Sequence, residues 1–490
     1  MLSHPLRRVQ ALGHADPVLR FHLIIPCILV CAACGPESHP APAPLDLPEP
    51  LVQPDIVLVT LDTVRADRFS CYGYPRETSP HLDQLAKTSV RFERCLAPAP
   101  TTLPSHTSMF TGLEPLEHGV LANLHEGLVY ERHPDLLTLT ETLQQAGYTT
   151  AGFVSAQPLR KETGIGAGFE TWSEPRRPER PGFRTMDKAL EWLNETEGPL
   201  FLWVHLFDPH NPYQPQEPWD QHFDASDGVV GAWMKAHGVQ AETTRLGGRK
   251  VDMHAANEAY DGELRATDEE LGRLLTALGA RPRWDQTILA VIGDHGEGLG
   301  QHGEPSHGLA WDDHLHVPWV MRIPGLAPLT IGETVSVTDF LPTLLGRIHT
   351  ERASDLLDQC SGIDRLKFPG LSTPVHGQSS PRQSAKRLLD HAWTEDPWKY
   401  LRLADGTELL FDLEQDPFEF HDQAGAQPEV LGRLRLGLDQ HLERLARYGE
   451  ARTRRATPEE EANLRALGYG GGEVPSRDNS ATDKSGDDGR

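Results

Sequence analysis

The sequence predicts an α/β protein with a large, mixed but mostly parallel sheet carrying helices on both faces, and a small C-terminal α+β subdomain with an antiparallel sheet. Two β-rich apolar runs, 56–61 and 287–292, are typical of strands buried on both faces. A third run, 201–206, has the same character. Alternating residues at 398–403 and 408–412, separated by a turn with glycine, predict a hairpin in the smaller part.

Composition excludes several classes of function. The 46 basic and 71 acidic residues leave a formal net charge of −25, which argues against the phosphate backbone of nucleic acid as a main partner. No apolar run reaches about 18 residues, so a polytopic membrane protein is not expected. A small anionic substrate remains compatible with this charge, because a bound metal ion can invert the local field.

The N-terminal residues 1–34 are typical of an export signal. Basic residues precede a short apolar stretch, and the small residues that end at Cys34 resemble a bacterial lipobox, in which the cysteine is lipidated. An ordinary cleaved signal peptide is the alternative. Residues 35–54 contain repeated prolines and predict an extended linker. We therefore expect an exported protein in the periplasm or at the cell surface, touching the membrane only through a lipid at Cys34.

Three cysteines remain for the body of the protein, Cys71, Cys95 and Cys360. They allow at most one disulfide, and the sequence does not decide whether one forms.

Acidic side chains directly follow two of the predicted buried strands. Asp62 ends the first run, and Asp294 with His295 ends the second. Ligands bind beyond the carboxyl ends of strands in open α/β sheets, so these side chains can converge on one cation. Each acid taken alone is also what an ordinary strand end shows. Gly293 and Gly296 strengthen the second case, because they permit close approach of the backbone.

A helix is predicted to begin at Thr102, with Pro104 in its first turn. Such an end can bind an anion, and a hydroxyl placed there beside a metal ion is a candidate nucleophile. A capped helix without function is the alternative.

Histidines are concentrated near the same predicted edge of the sheet. Five fall within 22 residues of a glycine-rich loop, which indicates metal or oxyanion chemistry: His295, His302, His307, His314 and His316. Of these, we expect His314 and His316 to be structural. His205 and His210 lie at the end of the third strand run.

Together these segments resemble the sulfatase family of the alkaline-phosphatase-like superfamily. The resemblance covers residues 55–425, and its segments follow the family order: 56–74, 101–120, 147–159, 201–213, 291–308, 337–345 and 408–424. It implies a catalytic domain at 55–390 and a C-terminal subdomain at 391–450. A short helix and a disordered tail are expected at 451–490.

The resemblance also implies residue roles. The family nucleophile motif, Cys or Ser-x-Pro-Ser-Arg with the first residue matured to formylglycine, aligns with 102–106, so Thr102 holds the nucleophile position and His106 the arginine position. The implied metal ligands are Asp62, Asp294, His295 and Thr102. The implied catalytic residues are Thr102, His106, His205 and His307. The last two match family positions that hold substrate oxygens or protonate the leaving group. Thr63 occupies the place of a family acid, so one carboxylate is missing.

These departures leave the exact reaction open. Threonine has no route to formylglycine, and a sulfated threonine lacks the second hydroxyl that expels sulfate by C–O cleavage. We therefore expect a metal-dependent hydrolase of a sulfate or phosphate-type ester of a small anionic substrate. A phosphodiesterase or phosphonate monoester hydrolase is one alternative, and a catalytically degenerate binding protein is another. One divalent ion is expected: Ca²⁺ is the family default, while the loss of an acid favours Mn²⁺ or Zn²⁺.

Overall fold

A computed structural model describes residues 45–469, apart from 224, 247–248, 351, 382–388, 446–447 and 449–450. The predicted signal at 1–34 and the predicted tail beyond residue 469 lie outside the described residues. The α-helices of the described part are α1 (Pro80–Ala86), α2 (Thr102–Thr111), α3 (Pro115–His118), α4 (Leu139–Gln145), α5 (Gly182–Glu195), α6 (Val229–Ala236), α7 (Met253–Gly279), α8 (Asp312–Leu315), α9 (Phe340–Leu345), α10 (Ala353–Gln359), α11 (Pro428–Arg444) and α12 (Pro458–Ala466).

The strands of the described part are β1 (Leu51–Val52), β2 (Asp55–Leu61), β3 (Val90–Leu96), β4 (Leu124–His125), β5 (Leu128–Glu131), β6 (Thr149–Val154), β7 (Thr171–Ser173), β8 (Leu200–Leu206), β9 (Thr243–Leu246), β10 (Arg249–Asp252), β11 (Thr287–Gly293), β12 (His316–Arg322), β13 (Leu329–Ser336), β14 (Ile348–His349), β15 (Val375–Gln378), β16 (His391–Glu395), β17 (Trp398–Arg402), β18 (Glu408–Asp412) and β19 (Arg452–Arg455). They are joined in places by short 3₁₀ turns.

The central sheet has eight strands in the order β13-β3-β12-β11-β2-β8-β6-β7. Strand β12 runs antiparallel to both of its neighbours, and every other pairing is parallel. The predicted mixed, mostly parallel sheet is therefore confirmed. The three apolar runs form its middle, because β2 lies between β11 and β8.

Both faces of this sheet are covered, which explains why its central strands are mainly apolar. Alternate residues of β2 enter two separate cores: Ile56 packs into one and Val57 into the other. Helix α2 contributes Phe110 to the first core, and α7 contributes Leu264 to the second. Helices on both faces account for the apolar runs, and the buried polar residues Thr60 and His205 lie near the carboxyl ends of their strands.

The C-terminal part carries a four-stranded antiparallel sheet in the order β15-β16-β17-β18, which includes the predicted hairpin. Helix α11 covers this sheet with Leu434 and Leu438. The first strand of the sheet is Val375–Gln378, so the sheet begins before residue 391. A buried lysine joins it to the larger domain: Lys399 Nζ lies 2.7 Å from an Asp312 carboxylate oxygen.

Parts of the chain on either side of these domains are also packed. Leu51, within the predicted linker, packs against the main core, and its strand β1 pairs with β14. Near the other end, β19 pairs with β5 and α12 follows it. Cys71, Cys95 and Cys360 are free thiols. Within the described residues, no helix combines the length and apolar character that crossing a bilayer needs.

Candidate active site

The central strands bring the predicted acids together at one edge of the sheet. Strands β2 and β11 are parallel neighbours in a register that pairs Leu61 with Gly293. The residues that follow, Asp62 and Asp294, therefore leave the sheet side by side. Their backbones extend the ladder, since the Asp62 N–H donates to Leu206 O and the Asp294 N–H donates to Leu61 O, each at 3.0 Å.

Three buried atoms at this edge have no hydrogen-bond partner among the residues that the structure describes. They are Asp62 Oδ1, Asp294 Oδ2 and His295 Nε2. The imidazole nitrogen lies 4.0 Å from the first oxygen and 3.7 Å from the second. Buried polar atoms are normally paired, and two carboxylate oxygens with one imidazole nitrogen form a donor set suited to a divalent cation. These residues therefore fit the implied metal ion and form the candidate metal centre.

The other oxygen of each acid is held by the protein. Asp62 Oδ2 lies 3.1 Å from His205 Nε2, and Asp294 Oδ1 accepts hydrogen bonds from the backbone N–H groups of His295 and Thr63. These bonds fix both carboxylates so that one oxygen of each remains for a ligand.

The electrostatics of this group are those of crowded, buried ligands. Burial raises the pKa of Asp62 to about 7, although the nearby His307 opposes the shift. Burial, and then the Asp62 carboxylate, raise the pKa of Asp294 well above its usual value. Burial lowers the pKa of His295 well below its usual value. A cation placed among them would favour the ionised form of both acids and so lower their pKa values.

Thr63, at the position of the missing family acid, turns away from this centre. Its hydroxyl donates to Asp62 O at 2.8 Å, and its backbone has φ 54°, a conformation that β-branched residues rarely adopt. The Tyr260 hydroxyl donates to Thr63 O at 2.8 Å and holds the turn in place. This strained turn orients Asp62, at a cost of about 1–3 kcal/mol.

Helix α2 brings Thr102 to the same edge as its first residue. The N-cap of this helix is Thr101, the residue before Thr102. Only one backbone N–H of the first three residues is left for a ligand, because the Leu103 N–H donates to Asn123 Oδ1 at 2.8 Å and Pro104 has none. Of the first three backbone positions of α2, only the Thr102 N–H can therefore take part in the anion binding that was expected at this helix end.

His106, at the family's arginine position, is completely buried, and both of its ring nitrogens are used. Nδ1 lies 2.8 Å from Thr102 O, and Nε2 lies 2.9 Å from Thr60 Oγ1. A carbonyl only accepts, so Nδ1 carries the hydrogen and Nε2 accepts from the Thr60 hydroxyl. That hydroxyl in turn accepts the indole N–H of Trp203 at 2.9 Å. These bonds make His106 a support for the helix start, and its Nδ1 also lies 3.6 Å from Asp294 Oδ2, beside the candidate metal centre.

His205 and His307, the two predicted candidates for the leaving-group acid, lie in different surroundings. His205 is fully buried, its Nδ1 accepts from the Ser155 N–H at 3.4 Å, and burial lowers its pKa to about 3. His307 is less buried. Burial opposes its charged form, but Glu297, with a carboxylate oxygen 3.5 Å from His307 Nδ1, outweighs this and raises the pKa of His307. Of the two, His307 is the one equipped to give up a proton.

Two site residues were not selected by the sequence analysis. The Tyr469 hydroxyl lies 3.2 Å from Thr102 Oγ1 and 3.3 Å from His210 Nε2. His210 had been noted without a role, and its ring packs 5.2 Å from that of His307. Tyr469 lies far along the chain and carries no local motif, so only the fold could reveal it.

The remaining loop histidines serve the surroundings of the site. His302 stacks on Trp311 with ring centroids 4.2 Å apart. His314 accepts the Leu309 N–H at 2.9 Å, and His316 Nε2 lies 3.2 Å from Glu93 O. Of the five clustered histidines, the structure brings His295 and His307 to the candidate metal centre and nucleophile.

Comparison with known proteins places this architecture in a family. The sulfatase family model matches residues 54–350. An arylsulfatase of Clostridium perfringens is 22% identical over 438 residues, covering 75% of this chain and 89% of that relative. A choline-sulfatase of Rhizobium meliloti is 25% identical over 432 residues, covering 76% of this chain and 82% of that relative. The solved structure of a phosphonate monoester hydrolase of Agrobacterium radiobacter shares the fold, with a TM-score of 0.63 at 21% identity over 80% of this chain and 95% of that one.

The chain belongs to the sulfatase family, as its motifs predicted. It is a hydrolase that acts on ester bonds.

Proposed function

We propose that this protein is an exported, metal-dependent hydrolase that cleaves a sulfate or phosphate-type ester with Thr102 as its nucleophile. The observation that carries the proposal is the placement of the buried Thr102 hydroxyl at the first residue of α2, whose first turn is fixed at this edge of the sheet because the Ser105 hydroxyl donates to Asp294 O at 2.6 Å. A hydroxyl held beside ligands for a cation is the arrangement expected of an activated nucleophile.

The residues of the site divide the chemistry among them. Thr102 Oγ1 attacks sulfur or phosphorus, its proton passes to water, and the bond to the leaving oxygen breaks. His307 supplies the proton that the leaving oxygen takes up, supported by Glu297. The Thr102 N–H is available to an oxygen of the transferred group, while His106 and His205 hold the helix start and Asp62 in position. Water then hydrolyses the Thr102 ester.

The metal ion would be held by Asp62, Asp294 and His295, with Thr102 as the fourth ligand. When bound, it would act as a Lewis acid that stabilises negative charge on the transferred group. Ca²⁺ is the family default, and the imidazole in this donor set also suits Mn²⁺ or Zn²⁺.

A phosphorus ester is the second candidate substrate, and the identity of Thr102 favours it. Threonine cannot become formylglycine, so a sulfated Thr102 would need direct attack of water at sulfur. Phosphodiesters and phosphonate monoesters do not require the aldehyde hydrate. In either case we propose a small anionic ester rather than nucleic acid, in view of the net charge of −25.

Export rests on the predicted signal at 1–34, with attachment to a bacterial membrane through a lipid on Cys34. Mass spectrometry of the protein purified from membranes tests this part. A diacylated N-terminal Cys34 is expected, and an unprocessed Met1 in the soluble fraction would contradict it.

The catalytic part is tested by parallel assays of an aryl sulfate, a phosphate monoester, a phosphodiester and a phosphonate monoester. We expect turnover of at least one ester by the wild type, loss of it in Thr102→Ala, and retention in the matched neighbour Thr101→Ala. Activity retained in Thr102→Ala would contradict the nucleophile. Absence of turnover in a folded, metal-loaded wild type would favour a binding protein with this fold.

A further inference from the structure

We propose that Tyr469 is a catalytic residue of this site, whose hydroxyl orients the Thr102 hydroxyl for attack, so that the C-terminal segment 452–469 is part of the active site. The inference rests on the proposed function, because it takes Thr102 as the reacting group. Tyr469 lies outside the residues that the sulfatase family model matches, 54–350.

The direction of the hydrogen bonds follows from the groups around the phenol. His210 Nδ1 lies 2.7 Å from Asn211 O, so this nitrogen carries the hydrogen and Nε2 accepts. The Tyr469 hydroxyl, 3.3 Å from that Nε2, therefore donates to His210. Its oxygen is then left to accept the hydrogen of Thr102, whose Oγ1 lies 3.2 Å away. The Thr102 lone pairs are thereby directed away from the tyrosine.

The tyrosine also packs against two histidines of the site. Its ring lies against those of His210 and His307, with centroids 5.8 and 6.0 Å away. The tyrosine thus lies beside both the nucleophile and His307, the residue that we propose as leaving-group acid.

The segment that carries Tyr469 is firmly held by the larger domain. Strand β19 pairs with β5 along four residues on each strand. Helix α12 begins with a capping box formed by Thr457 and Glu460, and Glu460 lies 2.9 Å from the Arg160 side chain. Leu464 is completely buried.

The last turn brings the side chain to the site. Leu467 is 2% exposed and packs with Ala156 and Phe207, and the Tyr469 N–H donates to Leu464 O at 3.0 Å. A tyrosine at the end of such an anchored segment has a defined position, as an oriented catalytic group requires.

The test compares Tyr469→Phe with Tyr448→Phe in the full chain. Phenylalanine keeps the ring and removes only the hydroxyl. Tyr448 is a matched control, because it lies at the surface and its hydroxyl donates to Gln359 O at 3.3 Å. We expect kcat of Tyr469→Phe to fall about tenfold or more with KM nearly unchanged, while the lost hydrogen bond to the buried His210 lowers the melting temperature by only a few degrees. The control should match the wild type.

Several results would overturn the role of Tyr469. Wild-type kcat in Tyr469→Phe would do so, and so would a rise in kcat, which would show that the tyrosine obstructs the site. Equal losses in both variants would also contradict it.

Failure of the proposed function has a different signature, namely activity retained in Thr102→Ala or no turnover of any ester by the wild type. In that case orthovanadate, which adopts the geometry of the transferred group, provides the readout for Tyr469. Tighter binding of orthovanadate to the wild type than to Tyr469→Phe would support the contact, and equal affinities would overturn it.

Discussion

Thr60→Val tests how the structure supports the start of helix α2. The Thr60 hydroxyl accepts the Trp203 indole N–H and donates to His106 Nε2, each at 2.9 Å. The bond from His106 Nδ1 to Thr102 O continues this chain to the nucleophile. Valine has the shape of threonine without the hydroxyl, so it breaks the chain at its centre while filling the same space.

The expected loss of stability in Thr60→Val follows from the polar groups that lose their hydrogen-bond partners. The side chains of Thr60, His106 and Trp203 are completely buried, so no water molecule replaces the lost hydroxyl as a hydrogen-bond partner. A buried donor or acceptor left unsatisfied costs about 1–3 kcal/mol. The variant leaves one donor, the Trp203 indole N–H, and one acceptor, His106 Nε2, without partners, so the free energy of unfolding should fall by about 2–6 kcal/mol.

The assay is thermal unfolding together with steady-state kinetics. We expect a fall of several degrees in the melting temperature and a fall in kcat of about tenfold to a hundredfold, because His106 no longer fixes the Thr102 carbonyl. Thr107→Val is the matched control. Its buried hydroxyl donates only within α2, to Leu103 O at 2.7 Å, and its removal orphans no side chain. Equal stability and equal kcat in the Thr60 and Thr107 variants would refute the reasoning.

Three further variants or conditions test other parts of the account. Lys399→Met should destabilise the protein by about 3–5 kcal/mol in thermal unfolding, because it removes the buried cation beside Glu419 and leaves Asp312 paired with Arg94. Glu114→Gln should lower the free energy of unfolding by about 3 kcal/mol at pH 7, since burial opposes but histidine neighbours lower the pKa of Glu114 from 4.5 to about 2. This difference is complete above the unfolded pKa, should fall to less than half by about pH 3, and disappears below about pH 2. A chelator should lower the melting temperature of the wild type, with readdition of a divalent cation reversing the change, and His295→Ala should weaken that response.

Each of these has an outcome that contradicts it. Lys87→Met, at an exposed lysine, is the control for Lys399→Met. Equal melting temperatures of these two variants would contradict the predicted effect of Lys399. A Glu114→Gln difference that stays constant from pH 7 to pH 3 would remove the assigned pKa. A melting temperature indifferent to both chelator and cations would count against the metal centre.

The sequence was informative wherever chemistry follows a buried strand directly. The runs 56–61 and 287–292 had to be central strands, and parallel neighbours necessarily bring Asp62 and Asp294 to one edge. That inference needed only strand burial and chain direction. The implied nucleophile position at Thr102 followed equally from a local motif, and the structure places it at the helix start that the motif predicts.

What the sequence could not show depended on packing between distant segments. Leu467-Gly468-Tyr469 indicated only the end of a helix, and the contact between Tyr469 and Thr102 exists because β19 pairs with a strand more than 300 residues earlier. The use of both His106 nitrogens likewise depends on Thr60, on a neighbouring strand. The role of such a side chain depends on which hydrogen-bond partners the packing of distant segments places beside it, and no local sequence pattern indicates those partners.

The most direct test of the central claim is tandem mass spectrometry of the peptide that contains residue 102, taken from enzyme quenched in acid during turnover of a competent ester. We expect a sulfo or phospho group on Thr102 and an otherwise unmodified threonine. The same group found on another residue, or an unmodified Thr102 at the moment when the ester intermediate should accumulate, would contradict it.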